Sequence, residues 1–239
     1  MIDANWIKDV PVAHRGLHDM NKTVWENTLS AAARAIEAGF AIECDLQYTT
    51  DSVPVVFHDD DLQRLCGIPG DVRAKTAAEL KLLSIGGTKD KVPRLKDLLD
   101  LVRGQVPLII ELKGRKDDDE GFVEDVLEAL SGYQGKVALM SFDHHLLKEL
   151  KALNCPYPVG LTAEGVNPET FFAHDEAMQY GLDFISYCVA HLPNSFIEAQ
   201  RAKNIPVITW TVRDEIMRKH TYTYADQMTF EGFDPREAG

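Results

Sequence analysis

The sequence predicts a single (β/α)8 TIM barrel with a short insertion, a β-hairpin plus helices, between strands 2 and 3. Three observations predict it. Short runs rich in Val, Ile and Phe alternate with segments of helical periodicity along the 239 residues, the pattern of a parallel sheet covered by helices. Nine such runs occur, and one of them has to fold back on its neighbour, which leaves eight parallel strands. Charged residues gather where the early runs end, as functional residues do at the C-terminal face of such barrels.

The first strand is "PVAHR" (11–15), which ends in His14 and Arg15. A helix follows, with Leu29, Ala32, Ala33 and Ile36 expected on one face and Gly39 just past its end. Strand 2 is "AIECDL" (41–46). The next run, "PVVFH" (54–58), comes after only a few residues. Parallel neighbours need a crossover of a dozen or more residues, so this run returns antiparallel as a hairpin. With Asp51-Ser52 as a two-residue turn, His58 is expected opposite Asp45. The insertion is expected over about 47–106, with helices near 76–83 and 95–103. The remaining strands are "PLIIELK" (107–113), "VALMSF" (137–142), "PVGLTA" (158–163), "DFISYC" (183–188), "PVITWTV" (206–212) and "DQMTFEG" (226–232). No linker or internal repeat divides the chain, so one domain over 1–239 is expected.

Composition excludes several classes of protein. With 45% hydrophobic and 26% charged residues the chain is ordinary globular material. A formal net charge of −13 disfavours nucleic acid as a partner, since such binders carry a basic footprint. No apolar stretch approaches a membrane span, so no stable membrane insertion is expected. No signal peptide is visible at the N-terminus. The cysteines Cys44, Cys66, Cys155 and Cys188 form no CxxC. Reduced thiols and a cytoplasmic location are the expectation. The sequence leaves the oligomeric state open, a homo-oligomer included.

Glu43 and Asp45 stand at i and i+2 on strand 2, so both carboxylates face one way and Cys44 faces the other. Strand 3 ends with Glu111 and Lys113 in the same relation. Charges buried at a strand end cost several kcal/mol each unless they are paired or hold a metal, so structure alone is a poor reason for this set. Three carboxylates form an oxygen-only site suited to a hard cation, Mg²⁺ or Ca²⁺. His14 and His58 then stay free for proton transfer near neutral pH. Arg15 and Lys113 supply donors for a phosphate. Together these groups are equipment for cleaving a phosphodiester.

The stretches "AHRG" (13–16), "WENTLSA" (25–31), "IECDLQYTTDSVPVVFHDDDL" (42–62), "VPRLKDLLDLV" (92–102) and "IIELK" (109–113) resemble the glycerophosphodiester phosphodiesterases. That family lies in the superfamily of phospholipase-C-like barrel phosphodiesterases. "SFD" (141–143) and "ITWTV" (208–212) also look like its strand ends. The resemblance implies hydrolysis of a small-molecule glycerophosphodiester to an alcohol and sn-glycerol 3-phosphate. It implies a divalent cation on Glu43, Asp45 and Glu111, with His14 and His58 as acid–base pair and Arg15 and Lys113 on the phosphate. Trp210 falls where the family often lines its glycerol pocket with an aromatic ring. Other readings are a relative acting on lysophospholipids or another diester, and a non-catalytic phosphodiester-binding barrel.

The chain departs from the family at three places. Ser52 stands where the hairpin turn usually has glycine, and Trp25 where proline is common. "ADQMTFEGFDP" replaces the usual Thr-Asp-Arg-Pro ending. "KDDDEG" (116–121) reads as acids at a helix N-terminus, with Asp59 a candidate neighbour of the site. His144 and His145 read as surface, and His174, His191 and His220 as members of no constellation.

Overall fold

The computed structural model describes residues 2–237. Strands β1 (Val12–Ala13), β2 (Ala41–Tyr48), β3 (Pro54–Val56), β4 (Leu108–Leu112), β5 (Val137–Ser141), β6 (Val159–Ala163), β7 (Phe184–Cys188), β8 (Val207–Val212) and β9 (Gln227–Phe230) form one sheet. Its order is β1-β9-β8-β7-β6-β5-β4-β2-β3, and β1 also pairs with β2. That last pairing closes eight parallel strands into a barrel, with β3 antiparallel on β2 outside the ring. Every strand expected from the sequence is present, and the fold is the (β/α)8 barrel.

The principal helices are α1 (Leu29–Ala38), α2 (Gln63–Cys66), α3 (Ala77–Leu80), α4 (Leu95–Val102), α5 (Phe122–Leu130), α6 (His144–Ala152), α7 (Pro168–Met178), α8 (Ser195–Ala202) and α9 (Glu215–Tyr224). Their apolar faces and the outward side chains of the strands make the main core. Inside the barrel, Val12, Ala41, Ile109, Ala138, Phe184 and Ile208 form an apolar plug, closed by Ala4 and Ile7 of the N-terminal 3-10 turn. No helix among the described residues is long and apolar enough to cross a membrane.

Two expectations about the helices need correction. The buried face of α1 is Ala31, Ala32 and Ala35, while Ala33 is exposed. The helix rolls this way because the chain after β1 crosses it closely: a Cβ on Gly16 would lie 2.9 Å from Ala31. The expected helix near 76–83 is a single turn, α3, begun by a capping box between Thr76 and Glu79. The helix near 95–103 is α4, which packs against α1 and α5 and also against β3 of the insertion.

The hairpin register also differs by one residue. Leu46 pairs with Val56 and Tyr48 with Pro54, so Asp45 faces Phe57, whose amide donates to the Asp45 carbonyl. The cause is loop length. Thr50-Asp51-Ser52 form a three-residue loop closed by the Thr49 amide on the Val53 carbonyl, and Ser52 adopts φ +60°. A turn followed by one left-handed residue is the usual three-residue hairpin, and glycine is the residue that suits it. Ser52→Gly is therefore expected to stabilise the protein by roughly 0.5–1 kcal/mol. The check is a higher urea midpoint with an unchanged m value.

Beyond Val56 the chain leaves the strand and builds a second small core from Phe57, Leu62, Leu65, Val72, Leu80 and Ile85. Trp25 belongs to the same cluster, its ring lying where a Cβ on Gly86 would be. The insertion is thereby fastened beside the barrel mouth.

Candidate active site

Strand alternation sends the polar residues inward. In register, Val12 lies beside Ala41 on one side and Thr229 on the other. Two residues further along each strand, His14 falls between Glu43 and Glu231. Asp45 pairs directly with Glu111. After His14 the chain turns sharply outward, with Arg15 at φ +55° and Gly16 at +78°. The Arg15 amide thus donates to Glu43 Oε2 at 2.8 Å.

Glu43, Asp45 and Glu111 are 2%, 2% and 5% exposed. One oxygen of each lies within 4.8 Å of the others. Burial and the charges of Asp45 and Glu111 push the Glu43 carboxyl well above the usual range. For Asp45, burial also acts upward, but Lys113 and Arg15 outweigh it and hold the group low. Lys113 Nζ lies 2.9 Å from Asp45 Oδ1 and also contacts Glu111. Arg15 Nε is 3.3 Å from Asp45 Oδ2, and Asn27 donates to the same oxygen at 2.8 Å. Three buried carboxylates thus share one focus and draw positive charge to it. That donor set fits a hard divalent cation and lacks the thiolates or imidazoles of a typical zinc site.

Each imidazole is held by a carboxylate. His14 Nδ1 is 2.6 Å from Glu231 Oε2, and Nε2 is 4.0 Å from Glu43. His58 Nδ1 is 2.8 Å from Asp59 Oδ1. An ionised carboxylate only accepts, so each ring carries its proton on Nδ1 and turns a basic Nε2 away from its partner. Burial lowers the pKa of both rings, although Glu231 pulls His14 upward and Asp45 does the same to His58.

Glu26 ties the site to the insertion. It accepts from Arg15 at 2.5 Å and from both terminal nitrogens of Arg64 at 2.8 Å, and Arg64 also donates to Asp59. Burial acts to raise the Glu26 pKa, but Arg64, Arg15 and Asn21 outweigh it and bring it from 4.5 to about 2. On acidification the unfolded chain takes up this proton first. The stability Glu26 contributes is full above pH 4.5 and lost as pH falls toward 2. Glu26→Gln is expected to flatten the dependence of unfolding free energy on pH across that window, as read by urea titrations followed by circular dichroism.

All eight residues singled out in the sequence line one cavity of about 230 Å³: His14, Arg15, Glu43, Asp45, His58, Glu111, Lys113 and Trp210. Met140, Phe142, Ser186 and Thr229 complete it. His58 reaches it despite the shifted register because β3 ends at Val56 and frees the chain from strand alternation. Sequence reasoning missed Glu231 and Arg64 as partners of the site. The "WENT" stretch did contain Glu26 and Asn27, and Asp59 takes the place considered for it.

Elsewhere, Asp119 of "KDDDEG" is buried rather than solvated. It pairs with Arg73 at 2.6 Å and with His145, which is exposed as expected, at 2.7 Å. His191 stands near Glu164 and Cys188, but its Nδ1 accepts the Gly165 amide, which leaves the proton on Nε2. The four cysteines are free thiols.

A closed (β/α)8 barrel with such a mouth defines the class: an enzyme, and specifically a phosphoric diester hydrolase. The model of the Glycerophosphoryl diester phosphodiesterase family matches residues 14–233, and the chain belongs to that family. A glycerophosphodiester phosphodiesterase of Caldanaerobacter subterraneus is 29% identical over 224 residues, covering 89% of this chain and 90% of its own. The solved glycerophosphodiester phosphodiesterase of Thermotoga maritima is 26% identical, with a TM-score of 0.74 over 92% of this chain and 94% of that one. An Oleispira antarctica phosphodiesterase solved with its product sn-glycerol-3-phosphate shares the fold, with a TM-score of 0.83 at 22% identity over 95% and 94% of the two chains.

Proposed function

We propose that this enzyme hydrolyses glycerophosphodiesters to an alcohol and sn-glycerol 3-phosphate, using a divalent cation, Mg²⁺ or Ca²⁺, and two histidines as general acid and base. One observation carries the reading: the carboxylates of Glu43, Asp45 and Glu111 meet within 4.8 Å, in the same cavity as His14, His58, Arg15 and Lys113. The family and the named relatives support the substrate class. The four free thiols are consistent with a reducing, cytoplasmic setting.

Glu43, Asp45 and Glu111 would hold the cation. When bound, it supplies positive charge at the phosphoryl oxygens and lowers the pKa of a nearby hydroxyl. Arg15 and Lys113 add charge-assisted hydrogen bonds to the phosphate. One imidazole takes the proton of the attacking oxygen at its Nε2. The other, starting in its protonated form, gives its Nε2 proton to the departing alkoxide as the bond from phosphorus to the alcohol oxygen breaks, so the two rings exchange protonation states in one turnover. Glu231 and Asp59 hold each ring in the tautomer these transfers need and stabilise the imidazolium formed in passing.

The test is release of glycerol 3-phosphate from glycerophosphocholine, followed by a coupled assay while Mg²⁺ or Ca²⁺ is titrated into chelator-treated protein. Metal-dependent release is expected. No release at any concentration of either metal contradicts the proposal.

A further inference from the structure

Arg64 lies outside the barrel, on the single turn α2 of the insertion, and its side chain is half exposed. It does not line the cavity. Its guanidinium nevertheless makes four hydrogen bonds to two carboxylates. Nε and Nη2 donate to the two oxygens of Asp59 at 2.7 Å each. Nη1 and Nη2 donate to the two oxygens of Glu26 at 2.8 Å each. Both edges of one rigid fork are filled, which among the cationic side chains only arginine allows.

Each of these carboxylates holds a side chain that does line the cavity. Asp59 accepts from His58 Nδ1, and Glu26 accepts from Arg15 Nη1. One chain of contacts therefore runs His58–Asp59–Arg64–Glu26–Arg15, and both of its ends face the same cavity. Among the described residues, the Asp59 carboxylate has no hydrogen-bond partner besides the His58 ring and Arg64. Asp59 stands on a bend beyond β3, where no strand ladder fixes the backbone. Glu26 has Asn21 as a further donor, so Asp59 is the end that depends on Arg64 more. Fastening the insertion does not require this arrangement. Leu65, the next residue, is 1% exposed and packs in the insertion's own core, to which Trp25 also belongs. Ion pairs as exposed as these add little to stability. The fork adds orientation instead: it fixes two carboxylates relative to each other, and through them a ring and a guanidinium of the cavity wall.

We infer that Arg64 is a positioning residue that couples the His58 proton-transfer group to the Arg15 phosphate contact. This rests on the proposed function and deepens it. Arg64 stays outside the cavity. It sets the Asp59 carboxylate so that His58 keeps a proton on Nδ1 and turns Nε2 away from Asp59, and it holds Glu26 against Arg15.

The test is Arg64→Ala, assayed with glycerophosphocholine and Mg²⁺ beside the unmutated enzyme. Hydrogen bonds to charged groups are among the stronger ones, so kcat is expected to fall about tenfold or more. The rise in melting temperature caused by inorganic phosphate is expected to shrink, because Arg15 is loosened at the other end. Removing a half-exposed fork leaves its slot open to solvent. Millimolar guanidinium chloride is therefore expected to restore part of the lost kcat, and sodium chloride at the same concentration is not. Arg64→Lys is expected to keep most of the loss, since one ammonium nitrogen cannot hold two carboxylates edge to edge. Four results overturn the inference and leave the proposed function standing: a kcat within about twofold of the unmutated enzyme, an unchanged phosphate effect, a loss that guanidinium leaves untouched, or full activity in Arg64→Lys. If the unmutated enzyme releases no glycerol 3-phosphate with either metal, the proposed function fails first and the inference with it.

Discussion

His14→Ala is expected to lower kcat for glycerophosphocholine by about 10²–10⁴-fold, the usual worth of one positioned acid or base. His58→Ala is expected to lose a similar factor. The fold should survive both changes. His14 is at the rim of the barrel rather than in its plug, and His58 lies on a segment already outside the sheet. Neither ring belongs to the carboxylate set, so metal affinity should change little. Circular dichroism and calorimetric titration of Mg²⁺ would check this. Glu231→Gln should give a smaller loss, because the amide can donate to Nδ1 and favour the wrong tautomer of His14. A His14→Ala or His58→Ala enzyme with nearly unmutated turnover would remove that ring from the mechanism.

Asp45→Asn is expected to be at least as damaging, at roughly 10³-fold or more in kcat/KM. Asp45 is the meeting point of the polar network: Lys113, Arg15 and Asn27 all contact it. Its loss removes one candidate ligand and frees the two cations it orients. Chelation of the unmutated enzyme should reproduce the loss, and added Mg²⁺ or Ca²⁺ should reverse it only in that enzyme. Glu43→Gln separates activity from stability. Glu43 is buried beside two like charges, so the amide should raise the melting temperature of metal-free protein while abolishing turnover. Function-bearing residues are often kept at such a cost to stability. An Asp45→Asn enzyme with unchanged metal dependence would contradict this reading.

The architecture was legible because a parallel strand buried on both faces reads as a continuous apolar run. A polar residue at the end of such a run therefore stands out, and Glu43, Asp45, Glu111 and Lys113 were found that way. The hairpin register was not legible. A two-residue type I′ turn and a three-residue loop both accept a left-handed residue at Ser52, so the residue types do not declare which of the two forms. Glu231 escaped for a topological reason. It meets His14 through closure of β9 on β1, 217 residues apart in sequence. Arg64 reaches Glu26 from a one-turn helix with no strong periodic signal. The α1 face was misjudged because three adjacent alanines leave the hydrophobic stripe undetermined until Gly16 selects one side.

The most direct measurement is a crystal structure grown with Ca²⁺ and sn-glycerol 3-phosphate. The expected result is one ion on the carboxylates of Glu43, Asp45 and Glu111, with the phosphate reached by Arg15 and Lys113 and flanked by His14 and His58. An ion bound away from these three carboxylates, or a phosphate seated outside this cavity, would contradict it.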